Sequence, residues 1–150
     1  MNSLRFALLL PALSLVAPFL VAQDVVSEKE RAAAKELGFA GPTETKGVSE
    51  MKLVGAFPLK ADFPALEGRQ LRARTITLEP GGVIAVHKHE GRPGIAYHLE
   101  GEVIEHRSDS SEPIVRRKGD VTLETPGLIH WMENRGDVPA RIVAVDIAPE

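Results

Sequence analysis

The 150-residue chain has no cysteine, which removes disulfides, thiol nucleophiles and zinc–thiolate centres from consideration. It also lacks any excess of basic residues. The formal net charge is −3 and no stripe of Lys and Arg appears, so nucleic acid and anionic membrane surfaces are excluded as partners. Aromatic residues are scarce, with Trp131 and Tyr97 the single representatives of their kinds. After the first 22 residues there is no long apolar run, so that part is expected to be soluble, with no membrane association once the leader is removed.

What is present begins with a leader. Arg5 supplies a positive start, and residues 6–21 are apolar, interrupted by Pro11 and Pro18. This reads as a signal peptide over residues 1–22, with Ala22 before the cut, and implies export to the periplasm or secretion. An uncleaved anchor is the alternative, disfavoured by the shortness of the run and its two prolines. Residues 23–49 read as an N-terminal arm and linker. Within it Ser27 and Glu30 form a capping box ahead of a short helix over residues 28–37, with Gly38 as its stop. The helix is polar on most faces and is expected either to pack weakly or to stay mobile. Residues 41–47 read as linker.

From residue 50 to 150 the pattern changes to short strands between turns, with 13 glycines and 11 prolines along the whole chain. Strands are expected at 51–57, 71–78, 83–89, 95–99, 103–107, 114–117, 121–124, 129–132 and 140–147. The segment Pro80-Gly81-Gly82 reads as a turn between the second and third. The fold class is therefore all-β, a sandwich or barrel.

His87 and His89 lie two apart on one of these strands, so both imidazoles point to the same face, together with Val83 and Ala85. His130 lies on a later strand just after Pro126-Gly127. Three imidazoles on an inner face are a candidate site for one divalent transition metal: iron, manganese, nickel, copper or zinc. Further polar candidates are Arg92, in a loop near a cavity mouth, and His98 and His106, which line a cavity if they face inward and are solvated if they face outward. Arg72 and Arg74 share a face and could hold a carboxylate. They read equally as an exposed strand end. Tyr97 and Trp131, each beside an inward histidine, are expected on the opposite side, against a second sheet or a dimer partner.

The run Gly81-Gly82-Val83-Ile84-Ala85-Val86-His87-Lys88-His89, continuing to Gly101, and the run from Gly119 through Pro126-Gly127 to His130 and Asn134 resemble the two motifs of the cupin superfamily. The resemblance implies a single jelly-roll β-barrel, here following the short N-terminal helical arm, with a metal held inside by His87, His89 and His130, and a homodimer. One departure stands out. Gly94 occupies the position where the resemblance implies a glutamate ligand. Three readings follow: three histidines alone hold the ion, Glu90 replaces the carboxylate, or His98 serves, although at strand rise it lies roughly 13 Å from position 94. A barrel that has lost its metal is the remaining reading. The functions implied are a metal-dependent enzyme, dioxygenase-like, acting on a small anionic or chelating molecule, or alternatively a non-catalytic periplasmic small-ligand-binding protein.

Overall fold

The computed structural model describes residues 25–150, so the leader lies outside the described residues. The chain runs through one helix, α1 (Glu28–Glu36), and then eight strands: β1 (Lys46–Pro58), β2 (Arg69–Lys88), β3 (Gly94–Glu100), β4 (Glu102–Arg107), β5 (Ile114–Arg117), β6 (Val121–Glu124), β7 (Ile129–Glu133) and β8 (Ala140–Pro149). All strand pairs are antiparallel. They follow one another across a single sheet in the order β5-β4-β7-β2-β8-β3-β6, with β1 added to β2. Backbone hydrogen bonds from His98 to Asp120 and from Gly119 to His98 tie β3 to the β5–β6 turn and bring the two sheet margins together. The result is a nearly closed antiparallel barrel.

The expected turn at Pro80-Gly81-Gly82 is instead a bend inside the 20-residue strand β2. Before the bend, Arg69 to Leu78 pair with β8. After it, Val83 to Lys88 pair with β7. Gly81 takes φ +74°, and its N–H reaches the Asn134 carbonyl while Asn134 N–H returns to Gly82. The bend is thus a barrel corner at which one strand exchanges partners without losing its ladder.

Alternation along the strands fills the interior. Ile76 and Leu78 of β2, Ala96 of β3, Val103 of β4, Met132 of β7 and Ile142 of β8 are all buried in one cluster. The arm contributes as well: Val25 and Val26 enter this same cluster, Val26 with no exposure. The expectation of a weakly packed helix is corrected here. Glu30 and Ala34 are its buried face, and Ala34 packs with Val86 and Ile129 on the outside of the barrel wall. The capping box is present, Ser27 Oγ accepting from Glu30 N–H and Glu30 Oε2 accepting from Ser27 N–H. The linker is similarly tied down, Pro42 accepting from Val86 N–H.

Gly101, between β3 and β4, holds φ +70°, and a Cβ there would lie 2.6 Å from the Pro139 carbonyl oxygen and 2.8 Å from Ala140 Cα. Both contacts are with backbone, which cannot swing aside. Gly101→Ala is therefore expected to destabilise the barrel by about 2 kcal/mol or more. Urea unfolding reads this directly, and an unchanged midpoint would contradict the account of this turn.

Candidate metal centre

The pairing of β2 with β7 places His87 directly opposite His130. A register irregularity between Ile84 and His87 inserts one residue on the β2 side. This corrects the expected face. Ile84, rather than Val83 and Ala85, lines the interior beside His87 and His89, and Val86 packs outward against α1. Without that bulge the histidines and Ile84 would face opposite sides.

The three rings converge through one kind of atom. The Nε2 atoms of His87 and His89 are 3.1 Å apart, those of His89 and His130 2.9 Å, and those of His130 and His87 3.1 Å. All three side chains are buried. His87 Nδ1 lies 2.8 Å from the Ala85 carbonyl, which can only accept, so Nδ1 carries the hydrogen and Nε2 presents a lone pair. His130 Nδ1 lies 2.8 Å from Glu105 Oε1, with the same consequence. Glu105 is itself anchored by Arg107 and Arg116. Burial alone would lift the Glu105 carboxyl, but the hydrogen bonds from His130 and Arg116 and the charge of Arg107 outweigh it and hold the group at about 2. It is a carboxylate at every physiological pH. Burial, then the neighbouring rings, push His87 well below its ordinary range, and burial, His130 and Arg92 push His89 to about 2.

His87 and His130 thus turn two lone pairs toward each other across 3 Å, and His89 has at most one N–H to give, so the three rings cannot all satisfy one another by hydrogen bonding. A cation between them can. Nitrogens ~2.1 Å from a shared ion and at right angles to one another are ~3.0 Å apart, close to the observed spacing. The donor set therefore fits a metal ion.

The space beside position 94 is already filled. Gly94 of β3 is paired with Glu124 of β6 on one side and Asp146 of β8 on the other. A Cβ at Gly94 would meet the Val145 carbonyl at 2.7 Å, Glu124 Oε2 at 2.9 Å and Asp146 Cβ at 3.0 Å. A carboxylate thus reaches this region from the neighbouring strand. Glu124 is buried, lines the cavity with the histidines, and has its Oε2 3.4 Å from His89 Nδ1; neither atom has a hydrogen-bond partner. Burial raises the Glu124 carboxyl above its ordinary range. Sequence reasoning placed Glu124 on a strand without assigning it a role. The available signal was the missing carboxylate at 94, but only the β3–β6 register says which residue faces that gap.

The other candidates separate. Glu90 is turned outward beside Lys88. His98 is buried, with Nε2 3.1 Å from Thr122 Oγ1, and does not line the histidine cavity. His106 lies on the outside, its ring stacked on Trp131 at 3.7 Å and bonded to Glu133, so it is not a cavity residue. Tyr97 is exposed. Arg92 lines the cavity together with Arg74, Val25 and Met132. Arg72 and Arg74 do hold a carboxylate, that of Asp146, with Arg72 gripping it through both Nε and Nη2. The cavity between these walls amounts to about 30 Å³.

Residues 74–146 match the family model described as Cupin domain. The aligned stretch with the auxin-binding protein ABP19b of Prunus persica is 31% identical over 107 residues, 69% of this chain and 49% of that protein. An oxalate-binding protein of Thermotoga maritima is 39% identical over 70 residues, 47% of this chain and 56% of that protein. The match thus spans about half the length of these curated relatives. Among solved structures, a predicted oxalate decarboxylase from Thermotoga maritima superposes with a TM-score of 0.51 at 24% identity, over 74% of this chain and 94% of that one. KdgF from a Halomonas species gives 0.55 at 17%, over 71% and 88%. The chain is a single jelly-roll barrel protein, and it belongs to the cupin superfamily.

Glu124→Leu removes a buried carboxylate that has no hydrogen-bond partner, so the metal-free protein is expected to melt no lower than wild type. Zinc affinity, measured by competition with a chelator, is expected to fall about tenfold as His89 loses the carboxylate beside its Nδ1. Lower metal-free stability together with unchanged zinc affinity would mean that Glu124 serves packing instead.

Proposed function

We propose that this protein is an exported, metal-dependent cupin in which His87, His89 and His130 hold one divalent transition metal and a small anionic or chelating molecule is transformed beside it. The observation that carries this reading is the convergence of the three Nε2 atoms at 2.9–3.1 Å. Bound between neutral ligands, such an ion keeps its full charge and acts as a Lewis acid, or as an oxygen-binding centre if it is iron.

The chain's own groups do the rest. Ala85 and Glu105 fix which nitrogens His87 and His130 present. Val25, Ile84 and Met132 exclude bulk water from the cavity, while Arg74 and Arg92 favour an anion in it. Glu124, its carboxyl raised by burial, can hold a proton at Oε2 beside the reacting molecule. Residues 1–22 act as the leader in this reading.

A second reading is a non-catalytic small-ligand-binding protein. It is favoured by the small size of the cavity and by the 39% identity to a protein named for binding oxalate. Oxygen uptake or product formation from small carboxylates by the iron- or manganese-loaded protein supports the enzyme. Saturable binding without turnover supports the second reading.

Protein purified without chelators is expected to carry about one transition metal per chain by mass spectrometry. His87→Ala and His130→Ala should each lose it and still fold. A full complement of metal in either variant would sink the assignment.

The barrel is proposed to work as a homodimer. β1 is hydrogen-bonded along one edge to β2, and Leu53, Val54, Phe57 and the nearby Phe63 are more than half exposed. A long apolar strand of this kind is a template for pairing, and a second copy would cover it. Light scattering at micromolar concentration should give the mass of two chains, and a monomer would overturn the proposal.

A further inference from the structure

Arg92 joins the metal centre to the arm. Its Nη1 donates to Asp146 Oδ2. Its Nε donates to Glu30 Oε1 at 2.6 Å, and its Nη2 lies 2.6 Å from the same oxygen. The other Glu30 oxygen accepts from the N–H and hydroxyl of Ser27, at 2.9 and 2.8 Å. Glu30 and Arg92 are both buried, at 7% and 8% exposure, which is uncommon for an ion pair that only fastens a surface helix.

The two halves of this seat belong to different parts of the chain. Ser27 and Glu30 travel with the arm, while Arg92, Arg72, Arg74 and Asp146 belong to the barrel. On the barrel side, three guanidinium groups pair with one carboxylate, that of Asp146, and the other acid near them, Glu124, forms no ion pair with any of the three, so the cluster is short of negative charge without Glu30. A second cavity of about 230 Å³, lined by Ser27, Glu30 and Arg72, lies against this cluster. Val25, Arg74 and Arg92 line both this cavity and the histidine cavity, so these three form the partition between them. The histidine cavity, about 30 Å³, has room for little more than a water molecule while Val25 is in place.

We propose that Arg92, backed by Arg74 and Asp146, is the carboxylate-binding subsite of this protein, and that Glu30 is an internal carboxylate occupying it until a ligand takes its place. The ligand class is a small carboxylic acid with a second oxygen. Its carboxylate sits on Arg92, and its other end extends past the position of Val25 toward His87, His89 and His130. Ligand entry and displacement of the arm are then one event: the same guanidinium cannot serve both carboxylates, and Val25 leaves with Glu30. This rests on the metal-centre reading for the far end of the ligand, but not for the seat itself.

The test uses the full chain and two probes of similar size, oxalate and its neutral diamide oxamide, titrated calorimetrically into wild type, Glu30→Gln and Glu30→Gln/Arg92→Met, each with zinc and without. Gln at position 30 keeps the helix cap while surrendering the charge. Glu30→Gln is expected to bind oxalate about tenfold more tightly than wild type, the scale of one charge-assisted hydrogen bond. Oxamide affinity should not change, and the added Arg92→Met should abolish the gain. In wild type, amide hydrogen exchange in α1 should accelerate when oxalate binds. Equal oxalate affinity in wild type and Glu30→Gln, including no binding by either, overturns the inference. So does an equal gain for oxamide, which would make the arm a steric plug only. Zinc uptake without the Glu30→Gln effect sinks this inference alone. The effect persisting in a protein that takes no zinc sinks the metal-centre reading alone.

Discussion

Everything at this site depends on one antiparallel pairing, that of His87 with His130 across β2 and β7. The ladder brings two imidazoles from residues 43 apart in sequence to a common point, and the side-chain period of two adds His89 on the same face. The bulge between Ile84 and His87 is part of the same constraint, because it lets an apolar wall and a polar cluster share the barrel interior. Shifting the register by one residue would turn the histidines outward and leave no centre.

Around that point the protein spends its buried charges unevenly. His130 is backed by a Glu105 that is neutralised by Arg107 and Arg116, so this carboxylate orients the ring and adds little net charge. His89 is backed by Glu124, which forms no ion pair with an arginine and no hydrogen bond. His87 has only a backbone carbonyl. One side of the centre is therefore rigid and electrically settled, while the other carries an unsatisfied carboxylate next to Arg92 and the cavity. A buried polar group left unpaired costs stability, and such groups persist where they serve a ligand or a proton.

Much of this was legible in the sequence. The histidine spacing, the glycines and the Pro126-Gly127 turn carried the family resemblance, and the capping box at Ser27 and Glu30 marked the start of α1 with its first residue correct. Strands β5 and β6 fall where turn chemistry placed them. Three features were not legible. Pro80-Gly81-Gly82 has the composition of a turn, and only the exchange of partners between β8 and β7 makes it a corner within one strand. The polar helix gave no hint of docking, since its burial comes from Val25 and Val26 before it and from Ala34 meeting Val86. His106 has the same local signature as an inward histidine, but its partner Trp131 lies on the outer face.

The sequence by itself determined what local rules govern: strand periodicity, turn positions, the helix cap, and the presence of two histidines on one face and a third after a tight turn. Those depend on residues within a few positions of one another. The tertiary structure alone decided which carboxylates stand beside which imidazoles, that Glu124 takes the space left by Gly94, and that Glu30 of the arm lies on Arg92 of the barrel. These are contacts between strands and segments far apart in the chain. They are set by register and closure of the barrel, and no local pattern encodes them.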